Sequence, residues 1–260
     1  MIFSCRPTLM LLGTLLLLSA ESAFSLDYRI IEKRPHNTKN FTQGLQAVGD
    51  YMIESSGHYG RSYITRYPLE GSANNKQPLP ATETWPVAGN LFAEGLTQMG
   101  ERLYLLSWTK GIATLYRARD MKPQRIFRYR GEGWGITHDG SQLIMSNGSS
   151  KLQFRDPITF KRSHILKVRL NNKPVTRLNE LDFFRGHIWA NVWQENFIVA
   201  IDPISGEVKQ KIDLSALARE SAPRKTDSVL NGIAADPKGR GLWITGKNWP
   251  WLYLLEIPLP

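Results

Sequence analysis

The sequence predicts an all-β chain, and within that class a five-bladed β-propeller, on three observations. Helical periodicity is nearly absent, short alternating strands recur between turn residues, and one tripeptide pattern returns five times. The alternation is plain in Tyr63-Ile64-Thr65-Arg66-Tyr67 and in Ile188-Trp189-Ala190-Asn191-Val192, where every second side chain faces the same way. Gly, Pro, Asn and Asp separate such runs, and the one helical stretch expected is a turn or two between Leu214 and Glu220.

The chain is expected to open on a leader. Arg6 precedes the apolar run Leu9 to Leu18, and small residues around Ala23 to Ser25 fit an export-cleavage site. That run is too short to span a bilayer. Residues 1–25 are therefore expected to be a signal peptide, with an uncleaved anchor as the rival reading, and residues 26–260 a single propeller domain, periplasmic or secreted. Cys5 is the one cysteine and is expected to depart with the leader. The mature chain is then expected to use no disulfide, no thiolate nucleophile and no cysteine-bound zinc. The net charge of +10 is scattered rather than clustered: Arg125, Arg128 and Arg130, then Lys161, Arg162, Lys167 and Arg169, alternate with other residues as solvated strand faces do. No nucleic-acid motif accompanies them, so no nucleic-acid partner is expected.

The first strand-like segment, Asp27 to Glu32, precedes the repeats. It is expected to complete the last blade, closing the ring and hiding a sheet edge. The five copies follow: Gln43-Gly44-Leu45, Glu94-Gly95-Leu96, Trp134-Gly135-Ile136, Asn179-Glu180-Leu181 and Asn231-Gly232-Ile233. Each leads to a strand anchored at Met52, Leu103, Leu143, Ile188 or Leu242, spaced about 40 to 54 residues apart. A period in that range, made only of short strands, indicates blades of four strands around a channel. A two-sheet sandwich is the alternative.

In a propeller, equivalent positions on the innermost strands form rings about one axis. Gln43, Glu94, Trp134, Asn179 and Asn231 make one expected ring, and Gly57, Trp108, Gly148, Trp193 and Lys247 a second. A mouth with aromatic walls and few polar groups has the make-up of a small-ligand site. Glu94 among indoles is expected to be desolvated, its pKa raised toward neutrality. Lys247, Asn179 and Gln43 are candidate donors to a developing oxyanion. The residues alone also admit a channel packed shut by its aromatics, a peptide-binding propeller without catalysis, and a calcium-dependent lactonase that would use Glu94, Asn179 and Asn231 as oxygen ligands.

The ordered set FTQGL at 41–45, ESSGHYGRS at 54–62, LFAEGLT at 91–97, LLSW at 105–108, GEGWGIT at 131–137, LNELDFFRGHIWANVW at 178–193, VLNGIAAD at 229–236 and ITGKNWP at 244–250 resembles the plant-type glutaminyl-peptide cyclotransferases, or glutaminyl cyclases. The resemblance spans nearly all of the mature chain. It implies a five-bladed propeller with inner-channel residues at Phe41, Gln43, Phe92, Glu94, Trp108, Trp134, Asn179, Trp193 and Lys247. Phe41 and Phe92 stand two residues ahead of Gln43 and Glu94, on the same face of an extended segment. The implied reaction closes an N-terminal glutamine into pyroglutamate with loss of ammonia. It gives Glu94 the proton transfer, Gln43, Asn179 and Lys247 the amine and oxyanion in an order left open, and the aromatic rings the confinement of the side chain. No cofactor is required in this reading, although a structural metal ion in the channel is compatible with it. The partner implied is a peptide or protein with N-terminal glutamine, handled by a monomer free of the membrane once the leader is removed.

Other features carry less. His36, His58, His138, His164 and His187 lack metal-ligand spacing and read as packing or solvent residues. Glu54 and Arg61 flank the turn SSGHYG, and two readings stand equally: a pair that fixes the turn, or plain surface residues. Asn40 and Asn147 stand in glycosylation sequons, which matter only in a eukaryotic secretory route. The polar loop between Glu70 and Glu83 is expected near the mouth.

Overall fold

The computed structural model describes Met1 and residues 28–69, 83–223 and 227–258; the rest of the expected leader and the loop at 70–82 lie outside them. In chain order, β1 (Arg29–Pro35) comes first. The first blade is β2 (Thr42–Val48), β3 (Tyr51–Ser56), β4 (Tyr63–Pro68) and β5 (Glu83–Pro86), and the second is β6 (Ala93–Met99), β7 (Arg102–Ser107), β8 (Ile112–Arg117) and β9 (Lys122–Arg128). The third is β10 (Ile136–His138), β11 (Leu143–Met145), β12 (Lys151–Arg155) and β13 (Arg162–Lys167). A small hairpin, β14 (Arg169–Leu170) with β15 (Lys173–Pro174), leads to the fourth: β16 (Leu178–Phe184), β17 (His187–Val192), β18 (Phe197–Ile201) and β19 (Val208–Asp213). After the helix α1 (Ser215–Ser221) come β20 (Leu230–Ala235), β21 (Leu242–Gly246) and β22 (Trp251–Glu256). The chain is a five-bladed β-propeller of antiparallel four-stranded sheets.

β1 supplies the fourth strand of the last blade, running antiparallel to β22 from Arg29↔Glu256 to Pro35↔Trp251. The expected closure is thus present, shifted along the chain by a few residues. The expected helix is present as α1, which turns Leu217 and Ala218 into the core.

Both faces of each blade are apolar because each packs against a neighbour. Five clusters fill the spaces between blades: Ile53, Leu96 and Leu103 between the first and second, Tyr104, Ile136 and Leu143 between the second and third, Ile144, Leu178 and Ile188 between the third and fourth, Trp189, Leu230 and Leu242 between the fourth and fifth, and Leu45, Met52 and Trp243 between the fifth and first. The five strand anchors, Met52, Leu103, Leu143, Ile188 and Leu242, are all fully buried. Each such side chain stabilises the fold by about 1.5–3 kcal/mol. Truncating Trp243, wedged between fifth and first blades, would remove about 3–5 kcal/mol.

The innermost strands carry the feature that builds the site. β2, β6, β16 and β20 each have a β-bulge at the repeat tripeptide, between Thr42 and Gly44, Ala93 and Leu96, Leu178 and Leu181, and Leu230 and Ile233. A bulge inserts one extra residue and re-aims its side chain; here it directs the tripeptide's first residue toward the channel. The second position is Gly44, Gly95, Gly135, Glu180 and Gly232 around the ring. A Cβ on Gly44 would lie 2.4 Å from Leu96 N, and one on Gly95 2.6 Å from Trp134 O. Backbones therefore meet at a waist that only glycine admits. Glu180 is the exception, and its carboxylate reaches across, accepting from Leu45 N of the first blade (3.2 Å) and Ile233 N of the fifth (2.8 Å).

Candidate active site

Above that waist lies a cavity of about 360 Å³, and Phe41, Gln43, Phe92, Glu94, Trp108, Trp134, Asn179, Trp193 and Lys247 all line it. His58, Gln194, Asp227 and Val229 line it too. The channel is therefore open at this end, not packed shut.

Of the two expected rings, Gln43, Glu94, Trp134, Asn179, Trp108, Trp193 and Lys247 line the cavity, while Asn231, Gly57 and Gly148 do not. Asn231 does not reach the cavity: it is fully buried, and its amide donates to Thr42 O at 2.9 Å, tying the fifth blade to the first. In the second ring the glycines are where neighbouring side chains enter. Gly148 has a positive φ of 76°, and a Cβ there would sit 2.7 Å from the Trp134 indole. Trp134 thus has its slot in the third blade because its neighbour lacks a side chain. Trp193 meets it edge-on, with ring centroids 5.7 Å apart. Phe92 meets Trp108 likewise at 5.5 Å, and Lys247 Nζ lies 4.7 Å from the centre of the Phe41 ring. These contacts fix the aromatic walls by ring packing and a cation–π contact.

The polar groups are few and under-satisfied. Glu94 is 6% exposed, and among the described residues its carboxyl has no hydrogen-bond donor. Burial, with the Glu132 charge adding and Lys247 opposing, raises its pKa to about 8. Lys247, equally buried, is pushed below the usual lysine value by desolvation, against the charges of Glu94 and Asp227. Two buried oxygens, Gln43 Oε1 and Asn179 Oδ1, have no partner. Buried polar atoms are normally paired, so a cavity edged by two free acceptors, a carboxyl and an ammonium is equipped for a ligand that brings its own N–H and C=O groups. Among the described residues, no three His, Cys, Asp or Glu side chains cluster as metal ligands. Asn231, one of the three oxygen ligands a calcium lactonase would use, does not line this cavity with Glu94 and Asn179.

Sequence reasoning missed His58, Asp227 and Glu132. His58 follows Gly57 of the second ring directly, and its ring packs at a tilt against Phe41, with centroids 4.6 Å apart. Glu132 lies within the quoted GEGWGIT motif and accepts from both Trp108 Nε1 (2.9 Å) and Trp134 Nε1 (2.8 Å). Asp227 sits in a loop outside the repeat. The pairing expected of Glu54 with Arg61 does not occur: Glu54 points inward to His36, Asn40, Thr42 and Tyr67, while Arg61 is exposed. Asn40, in one of the sequons, is buried in that same network. No helix among the described residues is long and apolar enough to cross a membrane.

A family model described as glutamine cyclotransferase matches residues 9–257. The chain is similar to a glutaminyl-peptide cyclotransferase of Arabidopsis thaliana, 37% identical over 250 residues that cover 92% of this chain and 75% of that protein. It is also similar to the crystal structure of Myxococcus xanthus glutaminyl cyclase, with a TM-score of 0.81 and 35% identity over 91% of this chain and 100% of that one.

Proposed function

The chain belongs to the glutamine cyclotransferase family, and from that premise we propose that it converts the N-terminal glutamine of peptides to pyroglutamate with release of ammonia. The α-amine attacks the side-chain carboxamide carbon, a C–N bond forms, and a tetrahedral oxyanion appears. The bond to the original amide nitrogen then breaks. One proton passes from the attacking to the departing nitrogen, so the atoms balance without water or a cofactor.

One observation carries the reading: Glu94 stands in the aromatic cavity without a donor, its pKa about 8. An α-amino group titrates at about 7.7–8.0, so acid and amine are matched for proton exchange. In its ionised form Glu94 takes the proton of the attacking amine, and as the acid it delivers that proton to the leaving nitrogen, a service of about 10²–10⁴-fold in rate. The free buried atoms of Gln43 and Asn179 are acceptor oxygens, which suits them to the substrate's N–H groups and leaves the cationic Lys247 to the oxyanion. Phe41, Phe92, Trp108, Trp134 and Trp193 confine the glutamine in an attack geometry, where orientation supplies up to about 7–11 kcal/mol.

The same proposal includes export to the periplasm or exterior, a monomeric working state, no lasting membrane association and no cofactor. The test is ammonia release from a Gln-initiated dipeptide by purified protein, repeated after thorough chelation. Activity in both arms is expected; none in the first would remove the reading, and loss in the second would require a metal.

A further inference from the structure

We propose that Glu132, a residue outside the cavity lining, is the positioning residue that locks Trp108 and Trp134 into one rigid wall of the site. This rests on the glutaminyl cyclase reading for its kinetic consequences, though not for its structural ones.

The geometry is specific. Trp108 follows β7 of the second blade, and Trp134 precedes β10 of the third. Their indole N–H groups converge on one atom, Glu132 Oε2, at 2.9 and 2.8 Å. Charge-assisted hydrogen bonds of this kind are about twice as strong as neutral ones. Trp108 needs such a tether: at 36% exposure it is the most open of the cavity's rings, held otherwise by its edge contact with Phe92. Trp134 in turn leans on Trp193, so a displacement at Glu132 would reach three sides of the cavity. One carboxylate bridging two blades also fixes the width of the mouth between them.

Glu132 has a second route to the reaction, through charge. The titratable groups facing Glu94 are Lys247 and Asp227 from the fifth blade, His58 from the first, Tyr129 from the loop after β9, and Glu132. Of these, Lys247 favours ionised Glu94 and Glu132 opposes it. Removing the Glu132 charge makes Glu94 more acidic.

Two variants separate the effects. Glu132→Gln keeps an acceptor oxygen for both indoles and loses the charge; the acid limb of its kcat profile is expected to move to lower pH. Glu132→Ala loses the tether; kcat/KM is expected to fall about 10–100-fold, mostly through KM, and acrylamide quenching of tryptophan fluorescence to rise. Wild-type kcat/KM and wild-type quenching in Glu132→Ala would overturn the proposal. If Glu132→Ala fails to fold, the same two readouts decide in Glu132→Ser, whose short side chain cannot reach both indoles. If the wild-type protein releases no ammonia, the cyclase reading falls, and the quenching comparison still decides whether Glu132 holds the indoles.

Discussion

Glu54 and Glu94 occupy adjacent blades and are both shut away from water, at 0% and 6% exposure, yet their surroundings treat the proton in opposite ways. Glu54, on β3, accepts from Asn40 Nδ2 (2.7 Å), Thr42 Oγ1 (2.6 Å) and Tyr67 OH (3.0 Å), and pairs with His36 at 3.1 Å. Burial pushes its pKa up, but His36 and these donors outweigh burial and hold it below the ordinary value. His36 is raised correspondingly, burial opposing and Glu54 prevailing. Glu94 receives burial without the donors, and its proton is retained to about pH 8. A buried carboxylate that is fully partnered serves the fold; one left short of partners is available to chemistry.

The sharpest way to break this comparison is to neutralise each glutamate in turn. Glu94→Gln is expected to stay folded and lose about 10²–10⁴-fold in kcat, read as ammonia release. Near-wild-type turnover would make Glu94 a bystander. Glu54→Gln is expected to do the reverse. It leaves His36 buried without its counter-charge, a loss of about 3–5 kcal/mol in denaturant-unfolding experiments, while protein that remains folded turns over normally.

A third expectation concerns pH. Because the folded pKa of Glu54 is depressed, its contribution is complete above the ordinary 4.5 and is lost as pH falls through the folded value. Because that of His36 is raised, its contribution is complete below the ordinary 6.5 and is lost as pH rises through the folded value. The stability gap between wild type and Glu54→Gln should therefore be widest between pH 4.5 and 6.5 and narrow on both sides; a gap independent of pH would contradict the ion pair. The last expectation concerns Glu94. Its raised pKa means that wild type loses stability relative to Glu94→Gln as pH climbs from 4.5 to about 8, so the variant's advantage should grow across that window and level off above it; an advantage independent of pH would contradict a buried carboxyl short of donors.

Much of this was legible in the sequence, for a physical reason. A propeller repeats its inner strand, so a tripeptide recurring five times marked the ring positions directly, and Gln43, Glu94, Trp134 and Asn179 followed from it. Asn231 occupied the right position but had a nearer partner in the backbone of β2, a competition that the repeat cannot reveal. Glu132, His58 and Asp227 come from connecting segments, where position depends on local chain geometry rather than period. Glu54 looked like half of a surface pair because it adjoins a turn; its β3 register with Thr65 of β4 and Leu45 of β2 places it inside. Glu180 stood openly in the glycine slot of its repeat, a departure whose meaning appeared only once the waist was seen to be closed by backbone.

The seam between β1 and β22 also governs how the molecule is assembled. Its Arg29–Glu256 contact joins positions 227 apart, so β1 waits for β22. Until β22 has been made, four blades stand as an open arc with raw edges, and long-range closure of this kind is intrinsically slow, on the order of milliseconds to seconds. Deleting β22 would strand β1 and leave β21 as an exposed edge ready for aggregation. Ring closure therefore waits for β22, and the open arc is exposed to proteases until the seam forms.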